Sequence, residues 1–229
     1  MTTPQFNIEW VGTPNQRQGR GGQKPIAIVN AIVNHITAGN FPGCLVWMQN
    51  PNTPDKGSAH YLITRTGRIL QMVLDENTSN HAGAAKKPNW PLYKGTNPNR
   101  YTIGIEHEGF DGTLTDIQYQ ATLWLHRHLI DKWNIVPGYD TIIGHYRIDS
   151  VNRPNCPGPK FPWEQLFSDL IQGGAKMAIT KKEQEYGENA VTSLAKKGLV
   201  NNPEVWSKKM GESVPNWLFF VMLDRISNK

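Results

Sequence analysis

The apolar run at residues 26–33 restricts the fold of this chain more than any other feature. It is almost wholly apolar and β-branched, and turn-forming residues bound it. A short run of this kind is typical of a strand buried on both faces, as in a parallel sheet covered by helices. We therefore predict a central strand that delivers Asn34, His35 and Thr37 at its carboxyl end.

The remaining periodic segments predict an α/β domain with a central mixed β-sheet flanked by helices. Gly67 supplies the turn of a hairpin, and Thr115 with Gln118 forms a capping box that starts a long helix. The predicted elements are a helix at 41–49, hairpin strands at 59–63 and 69–73, a strand at 102–108, a helix at 115–133, a strand at 141–143 and a helix at 162–171. Between them, residues 75–100 form a long irregular segment, and such segments are usually functional.

The pair Gly173-Gly174 is the best candidate for a linker. Beyond it, a second capping box at Thr180 and helix-breaking residues near Gly198 and Gly211 predict three short helices. The sequence thus predicts a catalytic domain at 1–172 and a small all-helical region at 173–229.

Composition excludes several classes of protein. The chain has 229 residues, 38% of them hydrophobic, which suits a folded soluble protein. It has no apolar run of the ~18 residues that a membrane helix needs, and its start does not resemble a secretory signal. A formal charge of +5 favours a polyanionic partner, but no basic helix or aromatic platform accompanies it. We expect neither nucleic acid nor membrane as a partner.

Two histidines stand where predicted strands end, namely His35 and His145, and Cys156 follows the second. Sites in α/β proteins are built at strand ends. Two imidazoles and one thiolate would make a zinc site with an open fourth position, as catalysis by zinc requires. From spacing alone, unconnected core or surface histidines remain the alternative.

Six short strings occur in a fixed order along the chain. They are NHITA at 34–38, SAHYLI at 58–63, HAG at 81–83, NRYTIGIE at 99–106, GH at 144–145 and NCPG at 155–158. Each is weak alone, but together they resemble the zinc-dependent N-acetylmuramoyl-L-alanine amidase family, and the resemblance covers about residues 25–170. This family includes phage lysozyme-type amidases, bacterial autolysins and peptidoglycan recognition proteins.

The resemblance implies a role for each matched residue. His35, His145 and Cys156 match the zinc ligands, and Glu106 matches a catalytic glutamate that moves protons between water and the leaving amine. Many relatives have a lysine where this chain has Pro154. We expect the neighbouring Arg153 either to replace that lysine in stabilising the oxyanion or to be an ordinary surface arginine.

The resemblance also suggests residues that bind substrate. His81 and Asn99 match positions along the groove for the muramyl stem peptide, and His60 matches a histidine near the metal. His60 is expected to face the substrate or to support the site as a hydrogen-bonded hairpin residue. Trp90 and Tyr93 are expected either to wall the groove or to anchor their own loop.

These implications converge on one expected function, the zinc-dependent hydrolysis of the amide between N-acetylmuramic acid and L-alanine in peptidoglycan. The alternative is a non-catalytic peptidoglycan receptor with the same fold. Relatives that are receptors typically lack a zinc ligand, often the cysteine, and this chain has Cys156.

A lytic enzyme without a visible signal resembles a phage or prophage endolysin, which accumulates in the cytoplasm and reaches the wall after release. An autolysin secreted by another route is the alternative. In the C-terminal region, Trp206 and Trp217 with several lysines would either bind an anionic wall polymer or pack the helices.

Overall fold

The computed structural model describes residues 5–21, 29–83 and 85–172, with residues 189, 191–193 and 195–197 beyond them. The chain divides into two units, Met1–Phe167 and Ser168–Lys229. The predicted catalytic residues, zinc ligands and stem-peptide residues all lie in the first unit. No helix among the described residues is long and apolar enough to cross a membrane.

The first unit is built on a mixed sheet. The strands of this unit are β1 (Ile8–Trp10), β2 (Gln16–Arg17), β3 (Ala31–Ile36), β4 (Tyr61–Ile63), β5 (Ile69–Gln71), β6 (Thr78–Ser79), β7 (Thr102–His107) and β8 (Ile142–Gly144). The helices are α1 (Gly43–Gln49), α2 (Asp116–Trp133) and α3 (Trp163–Gln172), with 3₁₀ turns at Pro98–Arg100 and His145–Arg147.

Six strands form the main sheet in the order β1-β5-β4-β7-β3-β8, and β2 pairs with β6 in a separate antiparallel ladder. β3 runs parallel to both of its neighbours, β7 and β8. β4 runs parallel to β7 and antiparallel to β5, as expected for the hairpin. The mixed α/β fold predicted from the sequence is therefore confirmed.

Helix α2 covers one face of the sheet. Successive side chains of a strand point to opposite faces, so Ile32 of β3 faces α2 while its neighbours on the strand do not. The core on this side also contains fully buried residues of β7 and α2, including Ile103, Ile105, Leu125 and Leu129.

The opposite face is covered by α1 and by the irregular segment that follows β5. Trp90 of this segment is 5% exposed and stacks on Tyr101, with ring centroids 5.8 Å apart. Met48 of α1 packs with Leu62 and Leu70 of the hairpin. The side chain of His35 lies on this face, because it shares the alternation of Ala31 and Val33.

The central strand differs from its prediction. β3 spans Ala31–Ile36, so Asn34 and His35 lie inside the strand and not beyond its end. The strand extends beyond the apolar run because neighbouring groups form hydrogen bonds with both Asn34 and His35. The Asn34 side chain is fully buried and approaches the carbonyl of Ile143 at 3.5 Å. The first residues of the predicted strand, 26–28, lie outside the described residues.

The C-terminal predictions have a different outcome. Residues 173–188 and 198–229 lie outside the described residues, and so do the Gly173-Gly174 linker and the second capping box. The predicted boundary after residue 172 and the role of the helical region stay predictions.

The capping box at the start of α2 generates the first testable prediction. The Thr115 hydroxyl accepts from the Gln118 N–H at 3.2 Å, and the Gln118 side chain accepts from the Thr115 N–H. Thr115→Ala should lower the free energy of unfolding by about 1 kcal/mol, the usual loss for such a cap. Thr115→Ser keeps the hydroxyl and should retain most of that stability. Urea unfolding checks this, and identical midpoints for both variants and the wild type would contradict it.

Candidate metal centre and active-site cleft

Parallel strands bring two histidines and a glutamate to one edge of the sheet. His35 on β3 lies opposite Glu106 on β7, and Asn34 lies opposite Gly144 on β8. His145 follows Gly144 directly, at the start of a 3₁₀ turn. The rings of His35 and His145 consequently lie with their centroids 4.6 Å apart.

Cys156 reaches the same place on a loop held by backbone hydrogen bonds. The N–H of Tyr146 donates to the carbonyl of Cys156 at 3.1 Å, and the N–H of Cys156 donates to the carbonyl of Arg153 at 3.2 Å. The first bond ties the loop to the turn that carries His145, and the second lies within the loop. The Cys156 Sγ lies 3.8 Å from the His35 Nδ1.

These three side chains form a donor set that fits a metal ion. One ligand atom from each of His35, His145 and Cys156 lies within 4.8 Å of the others. Two ligands of a tetrahedral zinc ion are about 3.6 Å apart, close to the separation of Sγ and Nδ1. Three protein ligands leave a fourth position for water or substrate. In the described part of the chain, no second group of this kind is found.

Burial sets the protonation of the donors. It lowers the pKa of His35 well below its usual value and that of His145 to about 4, so both imidazoles are neutral near pH 7. Neutral imidazole is the form that binds metals. Burial raises the pKa of the Cys156 thiol to about 12. A bound metal deprotonates a coordinating thiol, so this donor also fits.

His81 lies behind His35 and fixes which nitrogen of His35 carries the proton. The His35 Nε2 is 3.0 Å from the His81 Nδ1, and the His81 Nε2 is 3.1 Å from the Thr102 Oγ1. The Thr102 hydroxyl donates to the Pro98 carbonyl at 2.8 Å. Because a carbonyl only accepts, the hydroxyl accepts from His81, and His81 in turn accepts from the His35 Nε2–H. The His35 Nδ1 is left with its lone pair facing Cys156.

Gly104 and Asn99 hold His81 in this position. A Cβ at Gly104 would lie 2.5 Å from the His81 Cγ, so only glycine leaves room for the ring against β7. The Asn99 Oδ1 accepts from the N–H groups of His81 and Ala82, at 3.2 and 2.6 Å. The ring therefore has a defined place before any ligand binds.

Glu106 faces the same space as the donor set. Its Oε2 is buried and has no hydrogen-bond partner among the described residues. Burial raises its pKa to about 8, and the positive charge of Arg153 acts in the opposite direction. An unpartnered carboxyl oxygen beside a metal site is placed to exchange a proton with a bound molecule.

A cleft of about 510 Å³ opens over these groups, and Glu106, His35, His145 and Cys156 line it. It shares walls with two further spaces. A space of about 700 Å³, here called the polar arm, has a rim that includes Arg17, Lys56 and Arg153. A space of about 410 Å³ along helix α1, here called the α1 arm, is lined by Trp47, Cys44 and Met48 among others.

The family model for N-acetylmuramoyl-L-alanine amidase matches residues 23–159, which include His35, His145, Cys156 and Glu106. The chain belongs to the N-acetylmuramoyl-L-alanine amidase family. It is 30% identical over 165 residues to N-acetylmuramoyl-L-alanine amidase A of Achromobacter lyticus, covering 63% of this chain and 84% of that one. The family and the enzyme class expected from the sequence are confirmed.

Solved structures of amidases share the fold. A crystal structure of AmpD matches with a TM-score of 0.54 and 30% identity, covering 71% of this chain and 93% of that chain. A complex of Escherichia coli AmiD with anhydro-N-acetylmuramic acid-L-Ala-D-gamma-Glu-L-Lys has a TM-score of 0.54 at 22% identity, covering 88% and 81%. In sequence, the chain spans 54% of the length of the AmpD of Salmonella typhimurium (strain SL1344).

Most of the predicted site residues of this amidase lie at the cleft. His81 and Arg153 line both the cleft and the polar arm, and Asn99 lines the polar arm alone. Thr102 belongs to the matched NRYTIGIE string, but nothing in the string indicates its bond to His81. Arg17 and Lys56 carry no sequence signal beyond their charge.

His60 and Trp90 are exceptions, and their expected contact with substrate is not supported by their positions. His60 is fully buried, 3.0 Å from the Arg20 guanidinium and 2.8 Å from the Ser79 hydroxyl. The Trp90 indole donates to the carbonyl of Asp140 at 2.8 Å. His60 supports the sheet behind His81, and Trp90 anchors its loop, which is one of the alternatives that the sequence left open.

The chain of hydrogen bonds from His35 to Thr102 generates a prediction for metal binding. Thr102→Val keeps the side-chain shape but removes the hydroxyl, so the tautomer of His35 is no longer fixed. We expect zinc affinity to fall by about 10- to 100-fold, as for other groups that orient metal ligands. Thr102→Ser should restore most of it. Competition with a chromogenic chelator measures the affinity, and equal values for the valine variant and the wild type would contradict the assignment.

Proposed function

We propose that this amidase hydrolyses, with zinc, the amide bond between the lactyl group of N-acetylmuramic acid and L-alanine in peptidoglycan. The proposal rests on one observation. A single open cleft is lined by the donor set of His35, His145 and Cys156 and by the unpartnered oxygen of Glu106. The names of the relatives support the bond that is cleaved.

The residues of the chain divide the work of hydrolysis. His35, His145 and Cys156 would hold the zinc ion, which when bound supplies Lewis acidity to the substrate carbonyl and to the attacking water. In its ionised form, Glu106 accepts the proton of that water and delivers it to the nitrogen of L-alanine as the C–N bond breaks. The products are the muramic acid carboxylate and a peptide with a free amino terminus.

Arg153 is proposed to stabilise the negative charge that develops on the carbonyl oxygen. It lines the cleft. Its positive charge lowers the pKa of His145, which burial also lowers, and it opposes the rise that burial causes in the pKa of Glu106. A guanidinium so placed can do what the lysine of many relatives is expected to do.

A non-catalytic receptor is the second reading of this fold. It would need the cleft to bind muramyl peptide without turnover. The complete donor set argues against it, because three ligands with an open fourth position are what catalysis by zinc requires, and binding without turnover does not require them.

The endolysin role is a narrower proposal, and it requires that the cleft act on the intact wall as well as on soluble fragments.

Release of free L-alanine amino termini from purified peptidoglycan tests the activity directly. We expect release by the zinc-loaded protein and none after chelation, with recovery when zinc is added back. His35→Ala, His145→Ala and Cys156→Ala should each abolish both zinc binding and release. A sample that is metal-free by elemental analysis and still releases L-alanine termini would refute the proposal. Lysis of intact cell walls, compared with cleavage of soluble muropeptides, tests the endolysin role.

Glu106→Gln isolates the proton-transfer step. The amide is nearly isosteric but cannot accept a proton, so turnover should fall by about 10²- to 10⁴-fold. Zinc content should stay that of the wild type. Glu164→Gln, a change at an exposed glutamate of α3, is the matched control and should leave turnover unchanged. A Glu106→Gln enzyme within threefold of the control would assign the proton transfer elsewhere.

A further inference from the structure

Arg20 is a buried cation that the proposed chemistry does not use. The residue is 4% exposed, although arginine is almost never buried without partners. Burial lowers its pKa to about 10, so the guanidinium stays positively charged near pH 7. The family match covers residues 23–159 and begins after Arg20, so it assigns this residue no role. Because a buried charge loses its hydration, its place in the fold has to be explained by its contacts.

The segment that carries Arg20 is tied to the irregular segment beyond β5. β2 pairs with β6 in an antiparallel ladder. Just beyond β2, the N–H of Gly19 donates to the Asn77 Oδ1 at 3.0 Å, and the Thr78 hydroxyl donates to the carbonyl of Gly19 at 2.7 Å. These contacts place the next side chain, that of Arg20, between the irregular segment and the start of β7.

The guanidinium of Arg20 contacts four groups from three parts of the chain. Its Nε donates to the carbonyl of Asp75 at 2.6 Å, and its Nη1 donates to the carbonyls of Asn99 and Thr102 at 3.3 and 3.0 Å. Its Nη2 lies 3.0 Å from the His60 Nε2. The planar set of donors in arginine suits such an arrangement, and the ammonium of lysine cannot reproduce it.

Two of these groups belong to residues that hold His81. The Asn99 side chain accepts from the N–H of His81, and the Thr102 hydroxyl accepts from its Nε2–H. Arg20 binds the backbone carbonyls of the same two residues, so each is fixed by its backbone as well as by its side chain. A third group, His60, lies beside the His81 ring, with centroids 5.7 Å apart. The contacts of Arg20 therefore converge on the histidine that orients a candidate metal ligand.

We propose that Arg20 is a positioning residue for the metal centre, acting through the backbone of Asn99 and Thr102 on His81 and so on His35. This role rests on the proposed function, because it takes His35 as a ligand of the zinc ion. Arg20 lines none of the three spaces of the cleft, so its effect has to pass through these bonds.

The expected consequence of losing Arg20 follows from the bonds of His35. Without the guanidinium, His81 is no longer held in one place, and the His35 Nε2–H loses its fixed acceptor. Both tautomers of His35 are then populated. Only the Nε2–H form presents the Nδ1 lone pair toward Cys156, so a fraction of the protein is not ready to bind the metal.

Two substitutions remove the set of donors to different extents. Arg20→Lys keeps the charge but cannot reach all four groups, and Arg20→Gln removes the charge as well. We expect each to lower zinc affinity by roughly tenfold, the lower end of the range for groups that orient metal ligands. Competition with a chromogenic chelator measures this affinity. Thr115→Ala is the matched control, because it weakens a helix cap that shares none of these bonds, and it should leave zinc affinity unchanged.

The tautomer of His35 is a readout that a merely structural role of Arg20 would not change. In metal-free full-length protein labelled with ¹⁵N-histidine, long-range proton–nitrogen NMR spectra show which ring nitrogen carries the proton, and the spectrum of His35→Ala assigns the signals. The wild type should show the Nε2–H form of His35 alone. Arg20→Lys and Arg20→Gln should show a mixture of both forms. This measurement needs neither bound zinc nor turnover.

A double-mutant cycle tests the route of the effect. If Arg20 acts through Thr102 and His81, Arg20→Lys should cost much less zinc affinity in a Thr102→Val background than in the wild type, because the chain of bonds is already broken there. Losses that simply add would show that Arg20 acts by another route, and they would overturn the proposal.

The outcomes for Arg20 and for the proposed function are separable. Wild-type zinc affinity and a single His35 tautomer in both Arg20 variants would overturn the positioning role and keep the function. If only Arg20→Lys folds, its values decide. Failure of both variants to fold would assign Arg20 to the folding of the whole domain and would also overturn the role. A wild type that binds no zinc and releases no L-alanine termini, but whose His35 tautomer depends on Arg20, would overturn the function and keep the positioning of His35.

Discussion

The parallel pairing of β3 with β7 and β8 is the constraint on which the site depends. It brings the carboxyl ends of three strands to one edge. His35 lies there opposite Glu106, and Asn34 lies opposite Gly144, the residue before His145. A slip of one residue in β3 would turn His35 toward the face that α2 covers, because side chains alternate along a strand. The apolar packing of Ile103 and Ile105 against α2 therefore also fixes the position of the candidate metal ligands.

The irregular segment after β5 serves both the metal centre and the cleft. It carries His81, which orients His35, and Asn99, which holds the backbone of His81 and lines the polar arm. It also carries Asn80, which joins Arg17 to Lys56. Apart from the short strand β6 and a 3₁₀ turn, its fold depends on buried contacts and hydrogen bonds, so one segment both walls the cleft and orients His35.

Local patterns predict most of the sheet and the centre of the site. The Thr115 capping box and the hairpin are found where periodicity and turn chemistry place them. His35 and His145 lie close together as expected, although His35 lies within β3 and not beyond its end. The burial of His60 and Trp90 is not predictable in this way. Both lie in or against a segment without periodicity, where tertiary contacts alone decide which side chains face solvent. For the same reason the motif strings identify the matched histidines without revealing how they bond to one another.

X-ray absorption spectroscopy of the zinc-loaded protein tests the central claim most directly. If His35, His145 and Cys156 share one ion, the spectrum should show one sulfur at about 2.3 Å and two imidazole nitrogens at about 2.0 Å. Cys156→Ser should remove the sulfur contribution, while Cys44→Ser, a change at the other free cysteine, should leave it intact. A zinc shell without sulfur in the wild type, or one that keeps sulfur after Cys156→Ser, would contradict the assignment of the site.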